Sequence, residues 1–359
     1  MPEIANLEKF LGTKLHSSEY RSREDFYGKR VIVVGHGLSG VEIAADVAGC
    51  AKSVTHLFRR PSWIIPRYIF DAKANREIPL DLVFYRHKAE NADTADNSKT
   101  EPKTPYQINQ ARNRYLAGIS KQNKINENTL KIDPDCGGFY PIAISDRYLE
   151  CIRGGSITPV KHASISDVFD NSIRVDDSQD IAADVIIFAT GYRSQLPFLD
   201  QVTKDKFEYQ EHDPLMPTLL FNHTLTQNIP GLGFVGFYKG PFWGTLDLQA
   251  RLIALQFAGK LNEISSAEYE SDRNKKLQIR SLSPRPQFPD DYVTMCDRLA
   301  AIIGCDAKLP STDDLHHYVK TGPVVPAHYR LTGPHTDREH AERVITDLNT
   351  TYFPGTRNG

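Results

Sequence analysis

Apolar residues along the chain gather in short blocks, and the first clean one is Arg30-Val-Ile-Val-Val-Gly35. A continuous β-branched run closed by glycine predicts a strand buried on both faces, as in a parallel sheet. Residues 38–49 follow, with Val41, Ala44, Ala45 and Ala48 as the apolar positions. That pattern predicts a helix with small residues on its packing face. Residues 53–58 make a second strand candidate, so 30–60 reads as a βαβ unit. Beyond it the pattern fades: 70–135 is polar, and 88–105 is charged and nearly free of apolar residues, which predicts a mobile loop or insertion. A short helix is expected over 145–152, with Ser145 as N-cap and Gly154-Gly155 as its stop. Strands are expected at 156–160, 164–169, 172–175 and 184–188, and a strand-rich patch at 233–237 precedes a long helix over 245–261. No solenoid-type repeat is present.

The length, 359 residues, suggests about two domains. Lys+Arg 43 against Asp+Glu 45 leaves a net charge of −2, which argues against a dedicated nucleic-acid binder. Five cysteines, an odd count with no C-x-x-C pair, point to free thiols in a reducing compartment. The 12 histidines show no metal-ligand spacing, so no metal site is expected. The N-terminus lacks a signal-peptide pattern, and no apolar run is long enough to span a membrane. A cytoplasmic protein is the expectation.

Gly35-His-Gly37-Leu-Ser39-Gly40 is G-x-G-x-x-G. The spacing alone is weak, but here it follows a strand and opens a helix inside a βαβ unit. In that context Gly35 allows the tight turn, Gly37 lets the backbone approach a pyrophosphate at the helix N-terminus, and Gly40 lets helix and strand pack closely. The other reading is a tight turn without a ligand. An NAD site wants an acidic residue about 20 positions on; here stand Arg59 and Arg60. Two guanidiniums suit a 2′-phosphate and therefore NADPH, unless they are a solvated basic turn. Trp63 and Arg67 are further candidates for the same edge.

Upstream, Phe10-Leu-Gly12-Thr-Lys-Leu-His16-Ser-Ser-Glu-Tyr20 fits F-x-G-x-x-x-H-x-x-x-Y. This motif followed by the glycine loop resembles the flavin-containing monooxygenases, the class B flavoprotein monooxygenases. The resemblance continues through 145–155, through Asp184-Val-Ile-Ile-Phe-Ala-Thr190-Gly191-Tyr192, which is similar to the family's F-A-T-G-Y segment, through 229–237 and Leu248-Gln-Ala-Arg251, and to Gly322-Pro and 329–334. Tyr20-Arg21 at the motif's end favours the N- and S-oxygenating branch over the Baeyer-Villiger branch, whose motif ends in Trp. The absence of Y-x-x-x-K excludes a short-chain dehydrogenase, and the absence of C-x-x-C excludes a disulfide reductase.

The resemblance implies an α/β fold: a Rossmann-like NADPH domain and the C-terminal part of a two-dinucleotide-binding flavoprotein's FAD domain. Residues 1–20 are expected to be motif and connector, 21–190 the NADPH domain with an irregular insertion over about 70–140, and 191–359 the FAD-domain part. It implies NADPH and FAD as cofactors, molecular oxygen and a small soft nitrogen or sulfur nucleophile as substrates, and a flavin hydroperoxide as oxygenating species. The cofactor carries that chemistry, so no catalytic residue is assigned. His16 reads either as a hinge residue between domains or as a structural histidine bonded to backbone. The loop 240–244 before the long helix is the candidate flavin-facing segment, or else an ordinary aromatic turn. The family carries two glycine fingerprints, FAD first and NADPH second. The loop at 35–40 corresponds to the second, and the upstream flavin half is expected to be missing. Tight FAD binding by this chain alone is therefore not expected. Three readings stay open: a truncated monooxygenase, a non-catalytic NADPH-binding protein, and one half of a split enzyme completed by a separate FAD-binding chain.

Overall fold

The structure, a computed structural model, describes residues 1–72, 75–87, 104–125, 128–240, 243–283, 285 and 291–354. Of the charged stretch 88–105, expected to be a mobile loop or insertion, residues 88–103 lie outside the described residues, as do Pro241 and Phe242 of the candidate flavin-facing loop, while Thr104 and Pro105 cap and open a helix. The strands are β1 (Thr13–His16), β2 (Arg30–Val34), β3 (Ser53–Phe58), β4 (Trp63–Ile65), β5 (Tyr68–Asp71), β6 (Arg76–Pro79), β7 (Ile142–Ile144), β8 (Ile157–Lys161), β9 (Ile165–Phe169), β10 (Ser172–Val175), β11 (Gln179–Ala182) and β12 (Val185–Phe188). The helices are α1 (Leu38–Val47), α2 (Leu80–Phe84), α3 (Pro105–Ile119), α4 (Tyr148–Arg153), α5 (Gln201–Asp205), α6 (Trp243–Phe257), α7 (Ser266–Ser281), α8 (Tyr292–Ile303), α9 (His316–Thr321) and α10 (Arg338–Tyr352). No helix of the described residues is long and apolar enough to cross a membrane.

The chain divides into two compact units, Met1–Ile69 with Glu101–Gly191, and Phe70–Thr100 with Tyr192–Gly359. The first is built on a five-stranded sheet of order β1-β12-β2-β3-β8, and every pairing in it is parallel. Its central strands are covered on both faces, which is why they read as unbroken apolar runs. Val31, Val33, Val185 and Ile187 face a core shared with Val41, Ala44, Ala45 and Val47 of α1 and Tyr148 and Ile152 of α4. Ile32, Leu57, Ile186 and Phe188 face Val168, Ile173 and Val175 of a three-stranded antiparallel sheet, β11-β10-β9.

Two stretches depart from the sequence expectation. The stretch 70–140 is not simply irregular, because it contains α3. Thr104 accepts from Gln107 N, and Gln107 returns the bond to Thr104 N, a reciprocal cap that fixes the helix start. α3 reads as polar because its outer face, with Gln107 and Arg114, is exposed, and because its buried face carries a polar residue too. Asn113, fully buried, accepts from Trp63 Nε1 at 3.0 Å and donates to the carbonyls of Cys136 and Gly138. The helix expected over 145–152 begins only at Tyr148, although Ser145 Oγ does accept from Tyr148 N at 3.2 Å.

In the second unit α6 packs on α8, with Leu248, Leu252 and Leu255 against Met295, Cys296, Leu299 and Ile303. Arg251 on α6 donates to the carbonyls of Tyr329 and Pro334, both at 2.8 Å, and so ties the C-terminal segment down. Residues 233–237 are not a strand; Gly233 makes one isolated bridge to Leu225. Phe234 packs instead with Leu196, Phe207 and Leu220, so the apolar run fills a small core without sheet pairing.

Candidate functional site

In a parallel open sheet, ligands collect at the carboxyl ends of the strands. Here those ends bring the glycine loop, at the end of β2, beside Ala189 and Thr190, at the end of β12. Gly35 has φ +115°, and a Cβ there would lie 2.3 Å from the Ala189 carbonyl oxygen. A Cβ on Gly40 would lie 1.8 Å from the Gly35 carbonyl oxygen, because α1 starts directly against the loop. At Gly37 the situation is the reverse: a Cβ would meet nothing within 4 Å. Gly37 is the N-cap of α1, it supplies no capping side chain, and the first turn holds no acidic residue. The leading amides of α1, those of Leu38, Ser39 and Gly40, carry the helix's positive end, and Gly37, Leu38 and Ser39 are exposed there. That arrangement fits a pyrophosphate.

The 10–20 motif fastens this edge together. Phe10, 1 % exposed, plugs the core on the antiparallel-sheet side. Gly12 passes so close to Asp184 that a Cβ would lie 2.4 Å from its carbonyl oxygen. Thr13–His16 then pairs with β12, which makes the motif an edge strand of the sheet. His16 Nδ1 accepts from Ser18 N at 3.2 Å, leaving Nε2–H to donate to the Gly191 carbonyl at 3.0 Å. Gly191 has φ +92°, and Tyr192 beyond it is exposed. Tyr20 stacks on Phe26 and donates to Asp46 on α1 at 2.7 Å; burial and that carboxylate raise its pKa. Phe10, Gly12 and Tyr20 thus hold the scaffold, while His16 and Gly191 sit at the carboxyl ends of β1 and β12.

Arg59 and Arg60 directly follow β3 on that edge, and both are exposed. Of the two further candidates, Trp63 does not line the edge. It is 0 % exposed, turned into the interior by its bond to Asn113. Arg67 is engaged by Glu42 and by Asp146.

Beneath the loop lies a buried cluster that no motif announced. His56 in β3 is 0 % exposed, its Nδ1 2.7 Å from Tyr148 Oη and its Nε2 2.7 Å from the Gly35 carbonyl. His36, 6 % exposed, lies over His56 and Phe58 and meets Tyr148 Oη through Nε2 at 3.3 Å. Burial pushes His56 down to about 4, and burial with the neighbouring His56 pushes His36 well below the usual imidazole range. A histidine held neutral stabilises the fold above its unfolded pKa. As pH falls from about 6.5 to about 4, the unfolded chain takes up a proton that folded His56 refuses. The expected loss over that window is ~3 kcal/mol for this group. It is read as a falling urea midpoint of Trp63 fluorescence in a Trp243→Phe background. The fall should be shallower in His56→Gln, and equal slopes in both proteins would refute the assignment.

A second stretch, Gly231-Leu-Gly233-Phe-Val-Gly236, repeats the G-x-G-x-x-G spacing. It is no cradle: it lies in turns, α6 opens only at Trp243, and a Cβ on Gly233 would press on Ile253. In the candidate flavin-facing loop Trp243 is 80 % exposed, and a Cβ on Gly244 would lie 2.3 Å from Tyr292 Oη. Among the described residues, 35–40 is the single strand–glycine–helix cradle.

Residues 2–354 match the profile of the family described as "Flavin-binding monooxygenase-like". Flavin-containing monooxygenase 5 of Oryctolagus cuniculus is 29 % identical, over 93 % of this chain and 60 % of its own length. Dimethylaniline monooxygenase [N-oxide-forming] 4 of Homo sapiens is 27 % identical, over 97 % of this chain and 60 % of its own. This chain thus spans about three fifths of the curated relatives it matches. Among solved structures, the closed crystal structure of cyclohexanone monooxygenase superposes with a TM-score of 0.57 at 15 % identity, covering 85 % of this chain and 70 % of that one. A cyclohexanone monooxygenase mutant from Rhodococcus sp. Phi1 bound to NADP+ gives 0.55 at 16 % identity with the same coverage. The fold is that of these flavoprotein monooxygenases, and the match over nearly the whole sequence establishes that the chain belongs to the flavin-binding monooxygenase-like family.

Proposed function

We propose that this chain binds NADPH and works within an NADPH- and FAD-dependent monooxygenase that oxygenates a soft nitrogen or sulfur nucleophile of a small molecule. The observation that carries the nucleotide part is the uncapped start of α1 facing open space over Gly37, with Arg59 and Arg60 at the end of the next strand. In this reading the amides of 38–40 hold the pyrophosphate, Arg59 and Arg60 hold the 2′-phosphate, and Thr190, Gly191 and Tyr192 take the nicotinamide side. His16, through the Gly191 carbonyl, fixes the backbone there and serves as a tether at the point where the two units join in sequence. Bound FAD supplies electron transfer to molecular oxygen and oxygenation of the substrate. The chain's part is to orient NADPH and keep water from the reacting centre. The N- and S-oxygenating branch is favoured by Tyr20-Arg21 and by the N-oxide-forming relative. The working compartment in this reading is the cytoplasm.

The test is a titration followed by a spectrum. The purified chain should bind NADPH at micromolar concentration, then be mixed with FAD, desalted, and read for the visible flavin band. Retained colour with NADPH oxidation supports a working enzyme. NADPH binding without retained flavin favours a non-catalytic binder, unless adding a separate FAD-binding chain restores colour, as a split enzyme requires. Failure to bind NADPH overturns the proposal.

A further inference from the structure

The proposed reading gives the 2′-phosphate to Arg59 and Arg60, but both are exposed side chains on a turn. Something has to hold that turn at a fixed distance from the glycine loop. The turn runs from Phe58, the last residue of β3, through Pro61 to Ser62, just before β4. Ser62, 2 % exposed, is bonded twice to His36, the residue between the first two glycines of the loop. Its backbone N–H donates to His36 Nδ1 at 2.9 Å, and its hydroxyl donates to the His36 carbonyl.

The proton positions in this cluster follow without ambiguity. A backbone N–H can only donate, so His36 Nδ1 accepts and its proton sits on Nε2. Nε2–H then donates to Tyr148 Oη, whose own proton goes to His56 Nδ1. His56 must therefore carry its proton on Nε2, where it meets the Gly35 carbonyl, which can only accept. The chain of bonds thus starts at the arginine turn and ends on the first glycine of the cradle. Each imidazole and the tyrosine hydroxyl uses one donor and one acceptor, and none is left over. The groups facing the pair are Phe58 from β3, Ser62 before β4 and Tyr148 from α4; the thiol of Cys151, also on α4, is the next titratable group. Among the described residues no carboxylate or ammonium faces the pair, so nothing offsets the burial that holds both rings neutral.

We propose that His36 is a positioning residue for cofactor choice: it locks Ser62, and with it the Arg59–Arg60 turn, onto the phosphate cradle, while Tyr148 and His56 hold it in the required tautomer. This rests on the nucleotide reading above and adds a residue that never touches the 2′-phosphate.

The experiment compares NADP+ and NAD+ binding by titration calorimetry at pH 7.5 for wild type, His36→Leu, His36→Asn and Tyr148→Phe. In His36→Leu the Ser62 amide loses its acceptor, and the preference for NADP+ over NAD+ should fall about tenfold, the scale of one lost buried hydrogen bond. NAD+ affinity should change less than about threefold, because the cradle itself remains. His36→Asn, whose side-chain oxygen lies near the place of Nδ1, should recover most of the preference. Tyr148→Phe frees the tautomer and should give a smaller loss in the same direction. If His36→Leu does not fold, the Asn and Phe variants carry the comparison, with Ser62→Ala as the fourth. Equal losses for both nucleotides, or an unchanged preference in every variant, overturn the proposal. A wild type that binds neither nucleotide overturns the nucleotide reading itself and is thereby told apart.

Discussion

Replacing Gly40 with alanine should destabilise the first unit by ~3 kcal/mol or more and abolish nucleotide binding, whereas Gly37→Ala should leave the fold standing and remove only the binding. The two glycines lie three residues apart in one motif, yet they are small for different reasons. A Cβ on Gly40 would sit 1.8 Å from the Gly35 carbonyl oxygen and 2.8 Å from its carbon. Those are backbone atoms, and the Gly35 carbonyl is pinned from below by His56. Relief can come only by lifting α1 off β2, and α1 buries Val41, Ile43, Ala44, Ala45 and Val47 against the sheet. Gly37 has φ −87°, open to any residue, and a Cβ there meets nothing of the protein. Its cost to folding is about that of an alanine at an N-cap, ~1 kcal/mol. The added methyl would instead stand where the pyrophosphate has to approach the backbone. Urea unfolding and NADP+ titration on the two variants separate these roles. If both alanines unfold the protein alike, or neither weakens binding, the division between a packing glycine and a ligand glycine is wrong.

What the sequence makes legible follows from how local each cause is. The β2–loop–α1–β3 unit is readable because burial on both faces and tight turning act on neighbouring residues. Four of the five strands in 156–188 are readable for the same reason, and β11, exposed and polar, is missed. Thr-Lys-Leu-His shows no strand pattern at all; it becomes β1 only by pairing with β12, about 170 positions away. The 233–237 run misleads in the opposite sense, being apolar for packing and not for a sheet. α3 could have been found from Thr104-Pro-Tyr-Gln107, a capping signature ahead of a polar helix. The His36–Tyr148–His56 chain spans separations of 92 and 112 residues, which one sequence cannot join. Its only local trace is a histidine inside the strand Ser-Val-Thr-His-Leu-Phe, a buried polar group that had to have a partner.

Substituting Arg59 and Arg60 together with alanine should weaken NADPH binding by about 100-fold while leaving NADH nearly unchanged. The position supports the size of the effect. Both residues follow the last position of β3, next in the sheet to β2 and its glycine loop, where a Rossmann-type fold places the adenosine ribose. An acidic residue there would repel a 2′-phosphate, and two guanidiniums invert that choice. A charge-assisted hydrogen bond contributes roughly 1.5–3 kcal/mol, and exposure to solvent holds the pair to the lower end of the doubled range. NADH, which lacks the phosphate, has nothing to lose. The salt dependence gives a second reading of the same contact. Raising ionic strength should weaken NADPH binding to the wild type more steeply than to the double variant, because the variant no longer neutralises that phosphate. The substitutions should not disturb folding, since neither side chain is buried. If wild-type protein binds NADPH and NADH equally, or if the double variant loses both alike, Arg59 and Arg60 do not read the 2′-phosphate.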